Sequence, residues 1–358
     1  MILSLAIIFF SAYLIWKSSE SFDIASSYLT RNLNDGIKGP TINAIASSLP
    51  ELLISFIFLF YIGDIEGFSA GYAVIIGSSI FNIAIIPTIS FFIIFYKEGI
   101  PLFPTDKNII QQDGLLLIIT EIVLLLGLYF GGISIYLASV LIILYFVYII
   151  IIFKKRNTTT LNYESKKNNK INFENTTFIN NILNINIASL ILNKSKINTC
   201  KAILILIISL SIISFACKEL VTNSEHLSKQ LNLNLFFITF FIAAVSSSLP
   251  DTILSIKDAK NKKYKDAFSN AYGSNIFDIC IGIGLPVLIY LLVNDLDSIS
   301  TNSSNFNNNI ILISSFLLIL FSIPITLIYW FKDLNFKRSL LIISFYFCFL
   351  GIIYFLSL

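Results

Sequence analysis

Apolar runs recur along almost the whole chain, and their length constrains the fold more than any other feature. On hydropathy they fall at 1–16, 37–62, 69–96, 114–130, 133–153, 201–221, 233–256, 266–293, 308–331 and 339–357. About 20 apolar residues suffice for a helix to cross the hydrocarbon core of a bilayer. Lipid offers no partner to backbone N–H and C=O groups, so a chain crosses it as helices or as a closed barrel. Runs of this length are helical. Composition agrees: 56% of the 358 residues are hydrophobic and 13% charged, where a soluble domain carries roughly 25% charged residues. The expectation is an all-α polytopic membrane protein of ten transmembrane helices.

The opening MILSLAIIFFSAYLIWK has no basic residue before its apolar run and no small-residue cleavage site. It reads as the first membrane helix and not as a removed signal. Cys200, Cys217, Cys280 and Cys348 are scattered, without a C-x-x-C pair, and read as buried inert thiols. The N-x-S/T matches at Asn157, Asn175, Asn193 and Asn302 follow from an Asn-rich composition.

The polar stretch 154–200 separates two sets of five runs, 1–153 and 201–358. It is too short and polar to bury a core and reads as a flexible linker. Within it, 178–192 is apolar enough to lie on the membrane surface as a helix. Placing every loop after an odd-numbered run in the cytoplasm gathers 22 of the 24 Lys and Arg there, leaving Lys218 and Lys229 opposite. That bias is the positive-inside pattern. It puts both termini outside and the linker, together with Lys38, Lys201 and the cluster Lys257, Lys260, Lys262, Lys263 and Lys265, inside. Five helices per half then make the halves enter the membrane from opposite sides.

Two proline-acid motifs sit inside these runs. Ser47-Ser48-Leu49-Pro50-Glu51 and Ser247-Ser248-Leu249-Pro250-Asp251 are offset by 200 residues. Each has a companion one run later, Gly77-Ser78-Ser79-Ile80-Phe81-Asn82 and Gly273-Ser274-Asn275-Ile276-Phe277-Asp278. A proline within a helix removes a donor and frees the carbonyl a turn earlier, which membrane protein tolerates only where protein or a wet cavity satisfies it. Helices 2, 3, 7 and 8, expected to be broken at matching places in two oppositely inserted halves, point to a transporter's binding site near the midplane.

The residues beside the breaks supply carboxylate, hydroxyl, amide and carbonyl oxygen. That is the donor set of hard cations, and Ca²⁺ takes six to eight oxygens. His226, the only histidine, falls in an outer loop, so a soft-metal site for Zn²⁺ or Cu⁺ is disfavoured. An ionised acid at the centre of a membrane helix costs about 2.5–3.5 kcal/mol or more. Glu51, Asp251 and Asp278 find no Lys or Arg within the central part of any run, so a bound cation is the expected compensation.

At these residues the chain resembles the sodium/calcium exchanger family, the calcium/cation antiporters. The two alpha repeats of that family read Gly-Thr-Ser-x-Pro-Glu/Asp on one helix and Gly-Ser-x-x-x-Asn/Asp on the next. Here the matching stretches are 43–62 with 71–87, and 243–258 with 266–286; SLPDTILS and GSNIFDICIGIGLP resemble the prokaryotic and potassium-dependent branches most. The resemblance implies alternating access, with Na⁺ influx driving Ca²⁺ out through one central cluster. It implies ion ligands at Glu51, Asp251, Asp278, Asn82, Ser47, Ser48, Ser247, Ser248, Ser78 and Ser274, with backbone carbonyls at Ala44 and Ala244. No cofactor is implied.

The chain departs from the pattern in places. The glycine before Thr-Ser is Ala46 in one repeat and Ser246 in the other, both Thr positions are Ser, and Ser79 replaces the commoner Asn. Serine keeps the hydroxyl; loss of glycine stiffens the breaks. Three acids balance three Na⁺ but leave one negative charge with Ca²⁺. K⁺ or a proton can meet it. Asp278 stands where potassium-dependent members of the family carry Asp and the animal sodium/calcium exchangers Asn. Some potassium-independent prokaryotic members keep Asp too, so the residue leaves K⁺ dependence open.

Alternatives differ in class. A Ca²⁺/H⁺ antiporter of the same superfamily suits protonatable acids, though Gly-Asn-x-x-Glu motifs are absent. An intramembrane aspartyl enzyme would need a Tyr-Asp and Gly-x-Gly-Asp pair, also absent. A passive channel does not explain the repeats. The expectation is a monomeric secondary transporter, not an enzyme, in a bacterial inner membrane, with Ca²⁺, Na⁺ and lipid as partners and no nucleic acid.

Overall fold

A computed structural model describes residues 1–31, 41–42, 44–157, 184–192, 197–262, 264–299 and 306–357. Lys38, Lys263, the start of the second run, Asn175, Asn193, Asn302 and most of the linker lie outside the described residues.

The described residues form helices and no strand beyond two isolated bridges, Phe103 with Leu334 and Ser134 with Ser298. In chain order they are α1 (Ile2–Leu29), α2 (Ala44–Ser47), α3 (Leu49–Tyr61) and α4 (Asp64–Glu98). Then come α5 (Lys107–Gly131), α6 (Ile135–Asn157), α7 (Ile187–Leu192) and α8 (Thr199–Leu231). The last are α9 (Leu235–Ser247), α10 (Leu249–Lys260), α11 (Tyr264–Phe277), α12 (Gly284–Val293), α13 (Phe306–Phe331) and α14 (Phe336–Ser357). A π-helical turn, Asp278–Ile283, joins α11 to α12.

Among the described residues eight helices are long and apolar enough to cross a membrane, and α9 with α10, bent by 41° at their break, adds a ninth. The expected ten is not reached by this measure. The second run is split at Ser48, which leaves α3 a short apolar helix, and its start lies among undescribed residues.

Two helices outrun their hydropathy. The first run ends at 16 by composition, yet α1 continues to Leu29: Lys17 Nζ lies 3.2 Å from Glu20 Oε2, and Trp16 donates to Glu20 at 3.0 Å. Pairing at i, i+3 and i+4 lets charged residues continue a helix. Likewise α8 passes 221 to Leu231, with Lys229 Nζ 2.5 Å from Glu225, and ends at Asn232 with φ 52°. His226 is therefore helical, not in a loop. Ile8 clusters with Leu227, and Ala25 with Ala202 and Ile205, so α1 and α8 lie side by side and antiparallel. Helix α7, within the described 184–192 of the apolar segment 178–192, packs in this same cluster through Ile187, Ala188 and Leu192. Cys217 and Cys280 are buried as expected; Cys200 and Cys348 are exposed instead.

The third run, expected to be broken, is instead one continuous helix, α4, from Asp64 to Glu98, and serves as the central post. Every residue from Gly67 to Thr88 is buried, and 72% of its apolar window lies inside, against 33% for α5, α6, α8 and α14. A helix apolar all round belongs in a core. Between helices in lipid, close packing of small residues replaces the hydrophobic drive. A Cβ at Gly67 would sit 2.5 Å from the Phe58 carbonyl of α3, and one at Gly77 would sit 2.4 Å from the Phe240 carbonyl of α9. These contacts bring both broken helices against α4.

Candidate cation-binding site

Both proline-acid motifs form the same local structure. Helix α2 ends at Ser47 and α3 begins at Leu49, with Ser48 between them at φ −90°, ψ 4°; in α9–α10 the matching residue is Ser248 at φ −81°, ψ 4°. The ladder closes with Ser48 N–H on Ala44 O at 3.0 Å and resumes with Leu52 N–H on Ser48 O at 3.3 Å. The second break has Ser248 N–H on Ala244 O at 3.1 Å and Thr252 N–H on Ser248 O at 3.0 Å. Proline is tolerated in a helix's first turn, where its missing N–H would have no partner anyway. Pro50 and Pro250 hold that place, which sets Glu51 and Asp251 in the first turns of α3 and α10. Negative charge is favoured there, close to free N–H groups.

The acids are wholly buried and share polar neighbours. Ser248 donates to Glu51 Oε1 at 3.2 Å, crossing from the second break to the first acid. The Ser47 hydroxyl in turn faces Asp251, and Ser247 faces Glu51. Asp251 Oδ1 accepts from Ser274 at 2.9 Å and Asn270 at 3.2 Å; its Oδ2 accepts from Asn82 at 3.3 Å. Asn82 also donates to Asn275 Oδ1 at 3.0 Å, and Asn275 donates to the Ser79 carbonyl at 2.7 Å. Ser78 reaches Asp278 Oδ2 at 3.4 Å. All ten side chains expected at the site are 0–4% exposed. The hydrogen bonds join Glu51 to Ser248, Asp278 to Ser78, and Asp251 to Ser274 and Asn82.

The Ala44 carbonyl accepts from Ser48 N–H and, at 3.3 Å, from Ser47; the Ala244 carbonyl accepts from Ser248 N–H and, at 3.0 Å, from Ser247. Both already hold two donors, so offering them to an ion requires the serines to rotate away.

What the protein leaves unsatisfied is as informative. Glu51 Oε2, Asp278 Oδ1, Asn82 Oδ1, Asn270 Oδ1, Ser48 Oγ and Ser79 Oγ are buried with no hydrogen-bond partner. Each such group costs about 1–3 kcal/mol, more when charged. No ion pair reaches Glu51, Asp251 or Asp278 among the described residues. No three His, Cys, Asp or Glu side chains are grouped so as to hold one metal among those residues. A bound ion here would have to draw on amide and hydroxyl oxygen as well as carboxylate. Hard cations accept that mixture.

Some site residues escaped the sequence reading. Asn270, Ser274 and Asp278 follow one another at four-residue intervals, so they share one face of a helix; that spacing could have flagged Asn270. Asn275 sits inside the quoted motif and could have been read as the link to the Ser79 carbonyl. The reading also counted three membrane acids. The structure buries two more, Asp113 and Glu121 on α5, at 0% and 1% exposure. Glu121 sits in an apolar run that a hydropathy average hides.

Membrane-length helices around a buried nest of unsatisfied oxygens define a polytopic helical membrane protein with a polar site in its interior. The sequence profile of the sodium/calcium exchanger protein family matches residues 3–154 and 201–355, and the chain belongs to that family. It is 30% identical over 115 residues to sodium/potassium/calcium exchanger 2 of Gallus gallus, covering 32% of this chain and 17% of that protein. It is 38% identical over 82 residues to sodium/potassium/calcium exchanger 1 of Bos taurus, covering 23% of this chain and 7% of that one. The matched part is thus a small share of these relatives' length. Among solved structures, an H⁺/Ca²⁺ exchanger, CAX, superposes with TM-score 0.68 and 16% identity over 99% of this chain and 85% of the other. The sodium-calcium exchanger NCX_Mj gives 0.56 and 22% over 98% of each. Identities this low establish the shared fold.

Proposed function

We propose that the chain is an alternating-access antiporter that exchanges Na⁺ for Ca²⁺ at the buried oxygen nest. Glu51 and Asp251 carry the charge that holds Ca²⁺, and release it to Na⁺ in turn. Asp278, Asn82, Ser78 and Ser274 complete the shell, with Ser47, Ser48, Ser247 and Ser248 lining the breaks. The observation that carries this reading is the set of unpartnered oxygens on Glu51, Asp278, Asn82 and Ser48 in a region with no basic partner. A cation supplies what every one of them lacks.

Ten spans in two inverted five-helix repeats, 1–153 and 201–358, are the architecture this function needs. The antiparallel pairing of α1 with α8, the first long helix of each half, supports that reading, as do the matched breaks at Ser48 and Ser248. Both termini lie outside a bacterial inner membrane in this reading, the 154–200 linker inside, and the protein works as a monomer. The curated relatives named above are sodium/potassium/calcium exchangers, so K⁺ joins the coupling ions to be tested. A Ca²⁺/H⁺ antiporter is the second reading, favoured by the superposition on an H⁺/Ca²⁺ exchanger.

The deciding experiment is ⁴⁵Ca²⁺ uptake into proteoliposomes under imposed Na⁺, K⁺ or pH gradients, for the wild type and Glu51→Gln. Uptake that follows the Na⁺ gradient and is lost in the variant is the expected result. Uptake that follows only the pH gradient selects the second reading, and uptake indifferent to every counter-ion makes the protein a channel.

A further inference from the structure

Helix α4 carries a proline in its interior, Pro87, and stays helical through it. A proline has no N–H to give the carbonyl four residues back. Here that carbonyl belongs to Ile83, the residue after Asn82 of the nest. Within a membrane, a carbonyl freed in this way is satisfied from a neighbouring helix, a side-chain hydroxyl or water. Tyr329 of α13 supplies the partner: its hydroxyl donates to Ile83 O at 2.8 Å. The next two carbonyls are served from within α4, where the Thr88 hydroxyl lies 2.9 Å from both Ala84 O and Ile85 O. The second repeat absorbs its own proline differently. Pro286 falls in the first turn of α12, behind the π-helical turn that opens with Asp278.

The same side chain also bears on the second amide donor of Asp251. The Tyr329 ring, wholly buried, meets Phe268 of α11 edge-on, with ring centres 5.2 Å apart and planes at 70°. Phe268 is two residues before Asn270. Asn82 donates to Asp251 Oδ2, and Asn270 to Asp251 Oδ1. One residue outside the nest therefore touches both helices that bring amide groups to this acid. Its hydroxyl holds α4 beside Asn82, and its ring packs on α11 near Asn270.

We infer that Tyr329 is a positioning residue for the exchange site. Its hydroxyl stands in for the N–H that Pro87 lacks, and so fixes the turn of α4 from which Asn82 reaches Asp251. Helices kink at proline. With the hydroxyl gone, Ile83 O loses its donor, and the turn opens at Pro87 and carries Asn82 away from Asp251 and Asn275. The effect on Ca²⁺ rests on the exchange function proposed above; the bond between Tyr329 and Ile83 does not.

Two substitutions test this, made singly and together. Tyr329→Phe removes the hydroxyl and keeps the ring on Phe268, and Pro87→Ala restores the missing N–H. A carbonyl has two lone pairs and accepts both donors at once, so Pro87→Ala alone should keep half-saturating Ca²⁺ within about twofold of wild type in proteoliposome flux. Tyr329→Phe should raise it about fivefold with the maximal rate within about twofold, a split that a general loss of packing does not give. In the Pro87→Ala background the same substitution should shift half-saturation less than about twofold. It should also lower the apparent unfolding temperature in detergent by less than it does alone.

Unchanged half-saturation in Tyr329→Phe, a loss of rate without that shift, or equal effects in the two backgrounds each overturns the assignment. Should Tyr329→Phe not fold by itself, the double variant must fold, and its failure overturns the assignment too. Absence of Ca²⁺ flux in wild type under every gradient removes the exchange function instead, while the unfolding temperatures of the four proteins still decide whether Tyr329 and Pro87 act on one carbonyl.

Discussion

Ser248, at the break of one proline-acid motif, donates its hydroxyl to Glu51 of the other at 3.2 Å. Two residues 197 apart in sequence are thereby joined, and the acid that faces the break keeps its second oxygen, Oε2, without a partner.

Replacing Glu51 by Gln keeps the shape and removes one charge and one acceptor. Ca²⁺ uptake in proteoliposomes should fall at least tenfold, since a hydrogen bond or ligand contact involving a charged group carries about 1.5–3 kcal/mol. The variant should still elute as a monodisperse species with an unchanged helical CD spectrum. Wild-type uptake in the variant would remove Glu51 from the shell.

Asp278 has one oxygen on Ser78 and one without a partner. Asp278→Asn should alter the dependence of Ca²⁺ flux on Na⁺ and K⁺ more than the preference for Ca²⁺ over other divalent ions. Vesicle fluxes across a matrix of Na⁺ and K⁺ concentrations measure both, and identical Na⁺ and K⁺ dependence in the variant would count against the role given to this acid.

Ser248→Ala deletes the donor to Glu51 without disturbing the backbone of the break. The half-saturating Ca²⁺ concentration should rise about tenfold, the equivalent of about 1.4 kcal/mol, while Ser248→Thr, which keeps the hydroxyl, should stay within about threefold of wild type. Equal effects from Ala and Thr would indicate a packing role in place of the hydrogen bond.

Gly77 is a test of the scaffold. A methyl there would lie 2.4 Å from the Phe240 carbonyl and 2.7 Å from the Ala244 Cβ. Gly77→Ala must push α9 away from α4, which costs about 1–3 kcal/mol by analogy with overpacked cores. Thermal unfolding in detergent should start several degrees lower, and Ca²⁺ flux should fall even though no donor atom is removed. A variant as stable and active as wild type would show that the approach of α9 to α4 is looser than the structure has it.

Much of this protein was legible in its sequence because lipid enforces a simple rule: long apolar runs become helices, and acids within them need a partner. The residues at 47–51, 78–82, 247–251 and 274–278 stood out for that reason, and the structure gathers them in one buried region. Hydropathy could not place the ends of α1 and α8, because Lys17 with Glu20 and Lys229 with Glu225 neutralise each other along the helix. Nor could it register Glu121, a single carboxyl diluted among leucines and isoleucines.

Sequence alone therefore determined that long apolar segments become helices and which side chains are too costly to sit among them without a purpose. Only the tertiary structure decided which of those side chains share an environment. Asp251 takes its partners from α2, α4 and α11, while Glu121 takes its partner from α13, more than two hundred residues along the chain. Helical periodicity reports a residue's own face, but a donor on another helix is brought near only by packing, and packing here turns on the closeness that Gly67 and Gly77 permit.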